Sequence, residues 1–461
     1  MISRADLARA LAGIVGDTHV RVDDGALAAH ARDATPLFES LPQAVVYPGS
    51  AEEVAAVLRY ATAHRVPVVP RGGGSNLCAA AVPLHGGIVM VLTRLDRIVE
   101  VSREELLARV QPGVTTARLG AAAAELGLLY APDPGSHTVS TIGGNIATCA
   151  GGLRGLKYGV TRNYVLGLEA VLATGEIIRT GGRLWKDVAG YDLTRLLTGS
   201  EGTLAVITEA TVALLPKPKE SGTGLAYFAS LADASRAVTA VIAAGIVPAT
   251  LEFLDRKCIT AVEDFARLGL RDDAGALLLF GDDGEAGAVA GNLDRIKGVC
   301  VDNGALEVTL AENVARAEAL LAARRCSLPA LSRLGPLTVL EDVTVPRHRL
   351  AEMVDRIDEI AERHELLIAT FGHAGDGNLH PTCVLDPRDT AAIERCHQAF
   401  AEIFSAAIAL DGTITGEHGV GAAKLPYLAE RLGADQVALL GRIKQAFDPA
   451  GILNPGKLGS S

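Results

Sequence analysis

Hydrophobic and polar positions follow two rhythms along this chain. Residues 3–16 bring Leu7, Leu11, Ile14 and Val15 near one face, with Asp6 and Arg9 between them, the spacing of a short amphipathic helix. From 51 to 215, helix-like and strand-like stretches alternate. The pattern predicts a helix over Ala51–His64 and strands over Val66–Val69, Gly87–Leu92 and Leu106–Val110. An Ala-rich helix over Thr115–Leu126 follows, then a hairpin of Val165–Ala173 with Glu176–Arg179 about a Thr-Gly turn. Two prolines and charges in Leu215-Pro-Lys-Pro-Lys-Glu-Ser-Gly222 mark a boundary. Beyond it, strands at Gly224–Phe228, Ala276–Phe280, Leu337–Val345 and Leu366–Phe371 alternate with helices at Leu231–Gly245 and Val314–Arg325. That order predicts an antiparallel sheet with helices on one face, and α+β as the fold class. A long helix, Thr390–Leu410, leads to a turn-rich end at Phe447–Gly456.

Length and composition bound what such a chain can do. At 461 residues, two or three domains are expected. Hydrophobic residues make up 49% and charged residues 21%, which suits a globular protein with a large core. Basic residues number 43 and acidic ones 54, so the formal charge is 43 − 54 = −11. That balance argues against a nucleic-acid backbone binder, and an aromatic share of 4% argues against a base-stacking platform. The seven cysteines are never spaced C-x-x-C, which fits a reducing compartment and offers no set for an iron–sulfur cluster. Asp6 and Arg9 interrupt any apolar leader core, and no run of about 18 uncharged apolar residues occurs. A soluble, cytoplasmic protein without a transmembrane segment is expected, with peripheral contact at the inner face of the membrane left open.

Gly is abundant, at 50 residues, and clustered. In Pro70-Arg-Gly-Gly-Gly-Ser-Asn-Leu77, consecutive glycines after a strand can turn several main-chain N–H groups toward one anion. The G-x-G-x-x-G spacing of a Rossmann turn is absent, and a plain Gly-rich turn has the same pattern. Pro132 to Gly152 runs through Thr141-Ile-Gly-Gly-Asn145 without a bulky charged side chain, and reads as a long loop. A third Gly-rich segment, Gly199-Ser-Glu-Gly-Thr203, enters an apolar strand. Together the three imply an extended, phosphate-bearing ligand lying against backbone. Two further motifs carry donors. Phe371-Gly-His-Ala-Gly-Asp-Gly-Asn-Leu-His380 reads as a strand end and a tight loop that folds two imidazoles to one point, and Gly416-Glu-His-Gly419 adds a carboxylate and a third imidazole. Two His and one carboxylate make a divalent-metal set with open positions; satisfied surface histidines are the plainer alternative.

In this order, the segments resemble the FAD-binding domain of the vanillyl-alcohol oxidase superfamily. The two His motifs resemble its D-2-hydroxyacid dehydrogenase branch, over roughly residues 38–458. The resemblance implies a PCMH-type FAD-binding domain over 1–217 (core about 38–217), a cap or substrate domain over 218–415, and a segment over 416–461 that returns to the first. It places Arg71, Gly72, Gly73, Gly74, Ser75, Asn76 and Leu77 at the pyrophosphate. Pro132, Asp133, Ser136, Thr141, Gly143, Gly144, Asn145 and Gly152 are its second flavin stretch, Gly202 and Ile207 its third, and Asn454 its last. Ser75 and Asn76 stand where covalently flavinylated members often have His, so non-covalent FAD is implied. His373, His380 and Glu417 are similar to the branch's ligands for a divalent metal (zinc, manganese or iron), and His418 to its base. Arg324, Asn378 and Thr382 fall at substrate-binding positions, Thr382 where hydroxyglutarate-type members often have Asn.

The implied reaction is oxidation of a small D-2-hydroxy acid, of D-lactate or glycolate type, to the 2-oxo acid, with hydride passing to the flavin. Electrons then need an external acceptor: a quinone, a cytochrome, an electron-transfer flavoprotein or an iron–sulfur subunit. A homodimer is compatible with the sequence. D-2-hydroxyglutarate oxidation, a non-catalytic FAD-binding subunit and a metal-dependent hydrolase are the other readings.

Overall fold

The computed structural model describes residues 2–459. The described residues form two bodies: 2–150, 160–217 and 417–459 make the first, and Gly151–Gly159 with Pro218–Gly416 the second.

The first body begins with β1 (Val20–Arg21), β2 (Ala44–Val46), β3 (Val68–Arg71) and β4 (Ile88–Val91), a sheet ordered β1-β2-β4-β3. β2 and β3 pair with β4 in parallel. Such strands are apolar on both faces. Ala44, Val46, Val68, Ile88 and Met90 face a core closed by Leu7, Leu11, Val15, Val54, Val57 and Leu58. Val45, Val69, Val89 and Val91 face Leu27 on the other side. The predicted N-terminal helix forms at Arg4–Val15, with the Ser3 hydroxyl accepting from Asp6 N–H as its cap. β5 (Ile98–Ser102), β6 (Leu107–Val110), β7 (Leu128–Leu129), β8 (Val165–Val171), β9 (Ile177–Gly181), β10 (Val206–Ala213) and β11 (Leu215–Pro216) follow. Five of them make an antiparallel sheet, β5-β6-β10-β8-β9, and β7 pairs with β11.

The stretch expected to be one long loop contains a helix, Ile142–Thr148, capped by Thr141. Gly143 and Gly144 lower its intrinsic propensity, and packing overrides this: a Cβ on Gly143 would lie 2.4 Å from Pro112.

The second body carries β12 (Glu220–Phe228), β13 (Thr250–Asp255), β14 (Ala276–Gly284), β15 (Ala305–Leu310), β16 (Leu337–Leu340), β17 (Val343–Thr344), β18 (Leu367–His373) and β19 (Asn378–Leu385). They form an antiparallel sheet ordered β15-β12-β14-β13-β18-β19-β16, with β17 also on β19. Two expectations change here. The strand expected over Leu337–Val345 is split by Glu341 and Asp342, and the region expected to be a histidine loop is a hairpin with His380 inside β19. The turn between β18 and β19 needs Gly377, whose φ is +87° and where a Cβ would lie 2.1 Å from the Val345 carbonyl. No helix among the described residues is long and apolar enough to cross a membrane.

Candidate active site

In the first body, the strand β3 ends at Arg71 and releases the chain into Gly72–Gly74. Small residues are compulsory here because two backbones meet. A Cβ on Gly73 would lie 2.2 Å from the Val139 carbonyl, and one on Gly72 2.2 Å from Thr141 Oγ1. The loop and the Val139–Thr141 stretch therefore lie directly together. Main-chain N–H groups of Gly73 to Leu77 have no acceptor among the described residues. Such a row of unmatched donors is a nest that fits a pyrophosphate. In the facing stretch, Asn145 Nδ2 donates to Thr116 Oγ1 at 2.7 Å, and Thr116 meets the Ser140 hydroxyl at 3.0 Å.

The end of the chain is tied to the same loop. Asn76 Oδ1 accepts from the N–H groups of Cys78 and Ala80, both at 2.9 Å, while its Nδ2 donates to the His418 carbonyl at 3.2 Å. Cys78 Sγ lies 3.1 Å from that same carbonyl. Buried Glu201 accepts from Val420 N–H at 2.6 Å and Gly421 N–H at 2.7 Å. Asn454 Nδ2 donates to the carbonyls of Ala80 and Glu201, both at 2.8 Å, and Lys457 Nζ to Val82 O at 2.9 Å and Asn454 Oδ1 at 3.2 Å. Burial pushes the Glu201 carboxyl up, against the pull of those N–H groups and of Lys457 and Lys424. It also pushes the Lys457 ammonium down to about 8.

In the second body, strand register builds the other half of the chemistry. Phe253 pairs with Gly372 and Leu254 with Phe371, so one further step sets Glu252 opposite His373. On the other side of β18, His373 pairs with Asn378 and Phe371 with His380. Period-two alternation therefore puts Glu252, His373, Asn378 and His380 on one face. The rings of His373 and His380 sit 5.1 Å apart, nearly perpendicular. Fully buried Glu252 accepts from His373 Nδ1 with one oxygen, at 2.7 Å, and from Arg324 Nε with the other, also at 2.7 Å. The Arg324 guanidinium lies over the Phe371 ring, 4.5 Å from its centre.

Asp342, the residue that splits the predicted strand, accepts from Gly416 N–H at 2.7 Å and Thr415 Oγ1 at 3.1 Å. One peptide bond later comes Glu417. Its carboxylate is the third donor of the set read from the two His motifs. Two neutral imidazoles and one anion fit a divalent ion with positions to spare.

Residues 217–458 match the family model "FAD linked oxidases, C-terminal domain", and residues 42–181 match "FAD binding domain". The chain belongs to the FAD-linked oxidases. It is 52% identical over 426 residues to the glycolate oxidase subunit GlcD of Bacillus subtilis (strain 168), covering 92% of this chain and 91% of that one. It is 40% identical over 421 residues to a D-lactate dehydrogenase of Archaeoglobus fulgidus, covering 90% of each. Among solved structures, p-cresol methylhydroxylase with substrate bound shares the fold, with a TM-score of 0.86, 18% identity, and coverage of 99% and 97%.

This FAD-linked oxidase thus holds residues 71–77, Pro132, Asp133, Ser136, Thr141, Gly143, Gly144, Asn145, Gly202, Ile207, Glu417, His418 and Asn454 in its first body. Gly152, Arg324, His373, Asn378, His380 and Thr382 are in the second. Asn378 is buried; its Nδ2 donates to Thr344 Oγ1 at 2.9 Å, and its Oδ1 has no partner among the described residues. Thr382 is fully buried and donates to the His380 carbonyl at 3.2 Å. Glu252, Asp342, Glu201 and Lys457 escaped the sequence reading. Glu252 had a legible signal: a carboxylate inside Thr-Leu-Glu-Phe-Leu-Asp is a charge in an otherwise apolar strand.

Proposed function

We propose that this FAD-linked oxidase converts a small D-2-hydroxy acid, glycolate or D-lactate, to its 2-oxo acid. The observation that carries the reading is His373 and His380 side by side on one face of the second body's sheet, their rings 5.1 Å apart, in a chain whose relatives include a glycolate oxidase subunit and a D-lactate dehydrogenase. Bound FAD would supply a hydride acceptor, and a divalent ion on His373, His380 and Glu417 would supply Lewis acidity toward a hydroxyl.

The remaining work belongs to side chains. Among the described residues Arg324 uses Nε alone, which leaves both Nη nitrogens to hold a substrate carboxylate as a planar fork. His418 accepts the hydroxyl proton, a general-base role typically worth about 10²–10⁴-fold. Its main chain is fixed by Asn76 and Cys78, so the imidazole starts from a defined backbone position. Thr382 is enclosed and bonded to a carbonyl, an arrangement that favours a short acid over a diacid reaching for a second polar contact. Reoxidation falls to an external acceptor, and the word "subunit" in the name of the Bacillus subtilis relative favours a protein partner.

The test is anaerobic flavin bleaching, followed near about 450 nm, with glycolate, each lactate enantiomer and 2-hydroxyglutarate offered separately. Bleaching by glycolate or D-lactate is expected. Bleaching by 2-hydroxyglutarate alone, or by none of them, overturns the proposal.

A further inference from the structure

We propose that Glu252 is a positioning residue that couples the metal ligand His373 to the arginine Arg324, so that one buried carboxylate sets both the ion's affinity and the place of the substrate's carboxylate. The inference rests on the metal reading above.

An ionised carboxylate can only accept hydrogen bonds, and both neighbours of Glu252 approach with nitrogen: His373 Nδ1 at 2.7 Å and Arg324 Nε at 2.7 Å. The bond to Nδ1 places the imidazole proton there, which leaves the Nε2 lone pair for an ion and raises its basicity. On the other oxygen, the Arg324 charge offsets a carboxylate that is completely shielded from water. Stacking on Phe371, which pairs across the strands with His380, holds the guanidinium plane. Glu252, His373 and Phe371 sit on adjacent strands and Arg324 reaches them from the helix Val314–Arg325, so every member is placed by regular secondary structure. Among the described residues, the Glu252 side chain makes two hydrogen bonds, and both go to these partners.

Glu252→Gln separates this role from simple packing, because the amide has nearly the same shape. One oxygen cannot serve two donors that face opposite ends of the group. If the amide oxygen turns to Arg324, the NH₂ faces Nδ1, and the imidazole must move its proton to Nε2, where the ion would bind. If it turns to His373, the NH₂ abuts the guanidinium and displaces Arg324.

The experiment titrates Zn(II) into metal-stripped, FAD-loaded protein by calorimetry, for the natural protein, Glu252→Gln and Arg324→Met, each first checked for full flavin content. Zn(II) affinity of Glu252→Gln is expected to fall by about 10–100-fold. Arg324→Met should bind Zn(II) at least as tightly as the natural protein, because the carboxylate beside His373 loses its competing cation. A merely structural contact would weaken both variants together. Equal affinity in Glu252→Gln and the natural protein overturns the inference, as does parallel loss in both variants. If Glu252→Gln loses its flavin, Arg324→Met decides alone: unchanged or tighter binding supports the relay and weaker binding rejects it. Failure of the natural protein to bind Zn(II), Mn(II) or Fe(II) instead rejects the metal reading itself, and this inference with it.

Discussion

Asn76 and His418 are 342 positions apart in the chain, yet the Asn76 amide nitrogen donates to the His418 carbonyl at 3.2 Å. The same amide's oxygen shapes its own loop through Cys78 and Ala80. Asn76→Ala removes both functions. Two main-chain N–H groups lose their acceptor, at about 1–3 kcal/mol each. Lower flavin retention on dilution, read by released flavin fluorescence, and a lower unfolding midpoint are expected.

Gly73 meets backbone, which cannot rotate away as a side chain can. Gly73→Ala should therefore yield largely flavin-free protein, measured as the ratio of flavin to protein absorbance. Gly120, in the helix Thr116–Glu125, has nothing within 4 Å of an added Cβ. Gly120→Ala should keep full flavin and gain about 0.5–1 kcal/mol of stability.

Lys457 gives a pH signature of known sign. Its folded value of about 8 lies below the ordinary 10.5. Between those values the folded protein has released a proton that the unfolded chain still holds, so the lysine's penalty is fully present below about 8 and lifts as pH rises. Relative to Lys457→Met, the natural protein should gain about 2 kcal/mol between about pH 7.5 and about pH 9.5. Denaturant midpoints of the two proteins at both pH values check it; a constant difference would reject it.

Asp342 holds the Gly416 N–H one residue before Glu417. In Asp342→Ala that donor loses its partner and the carboxylate after it loses its fixed starting point. Retained divalent metal after dialysis, measured by elemental analysis, should fall, with affinity weaker by about 10-fold.

Much of the scaffold was legible because period and punctuation agree. The helix at Val314–Arg325 and the hairpin about Thr174-Gly175 follow directly from spacing and turn residues. Ile142–Thr148 did not, since its glycines argue against a helix and only Pro112 and the Thr141 cap argue for it. β13 was hidden because Glu252 and Asp255 interrupt its apolar run, although both are buried acceptors in the folded chain. The histidines and Glu417 were legible as chemistry. Their connection to Glu252 was not, because 121 residues separate it from His373 and only strand register closes the distance.

The first body is built from segments that precede and follow most of the second in the chain, and this governs the order of its assembly. Glu201 takes its acceptor duty from Val420 and Gly421, and the loop around Ala80 is closed by Asn454. During synthesis, the residues that donate to Glu201 leave the ribosome more than two hundred positions after it. The flavin-binding half must therefore wait, incomplete, until the segment that carries Val420, Gly421 and Asn454 has been made. A chain that stops between Pro218 and Gly416 keeps Glu201 without its Val420 and Gly421 donors, and the Ala80 carbonyl without Asn454.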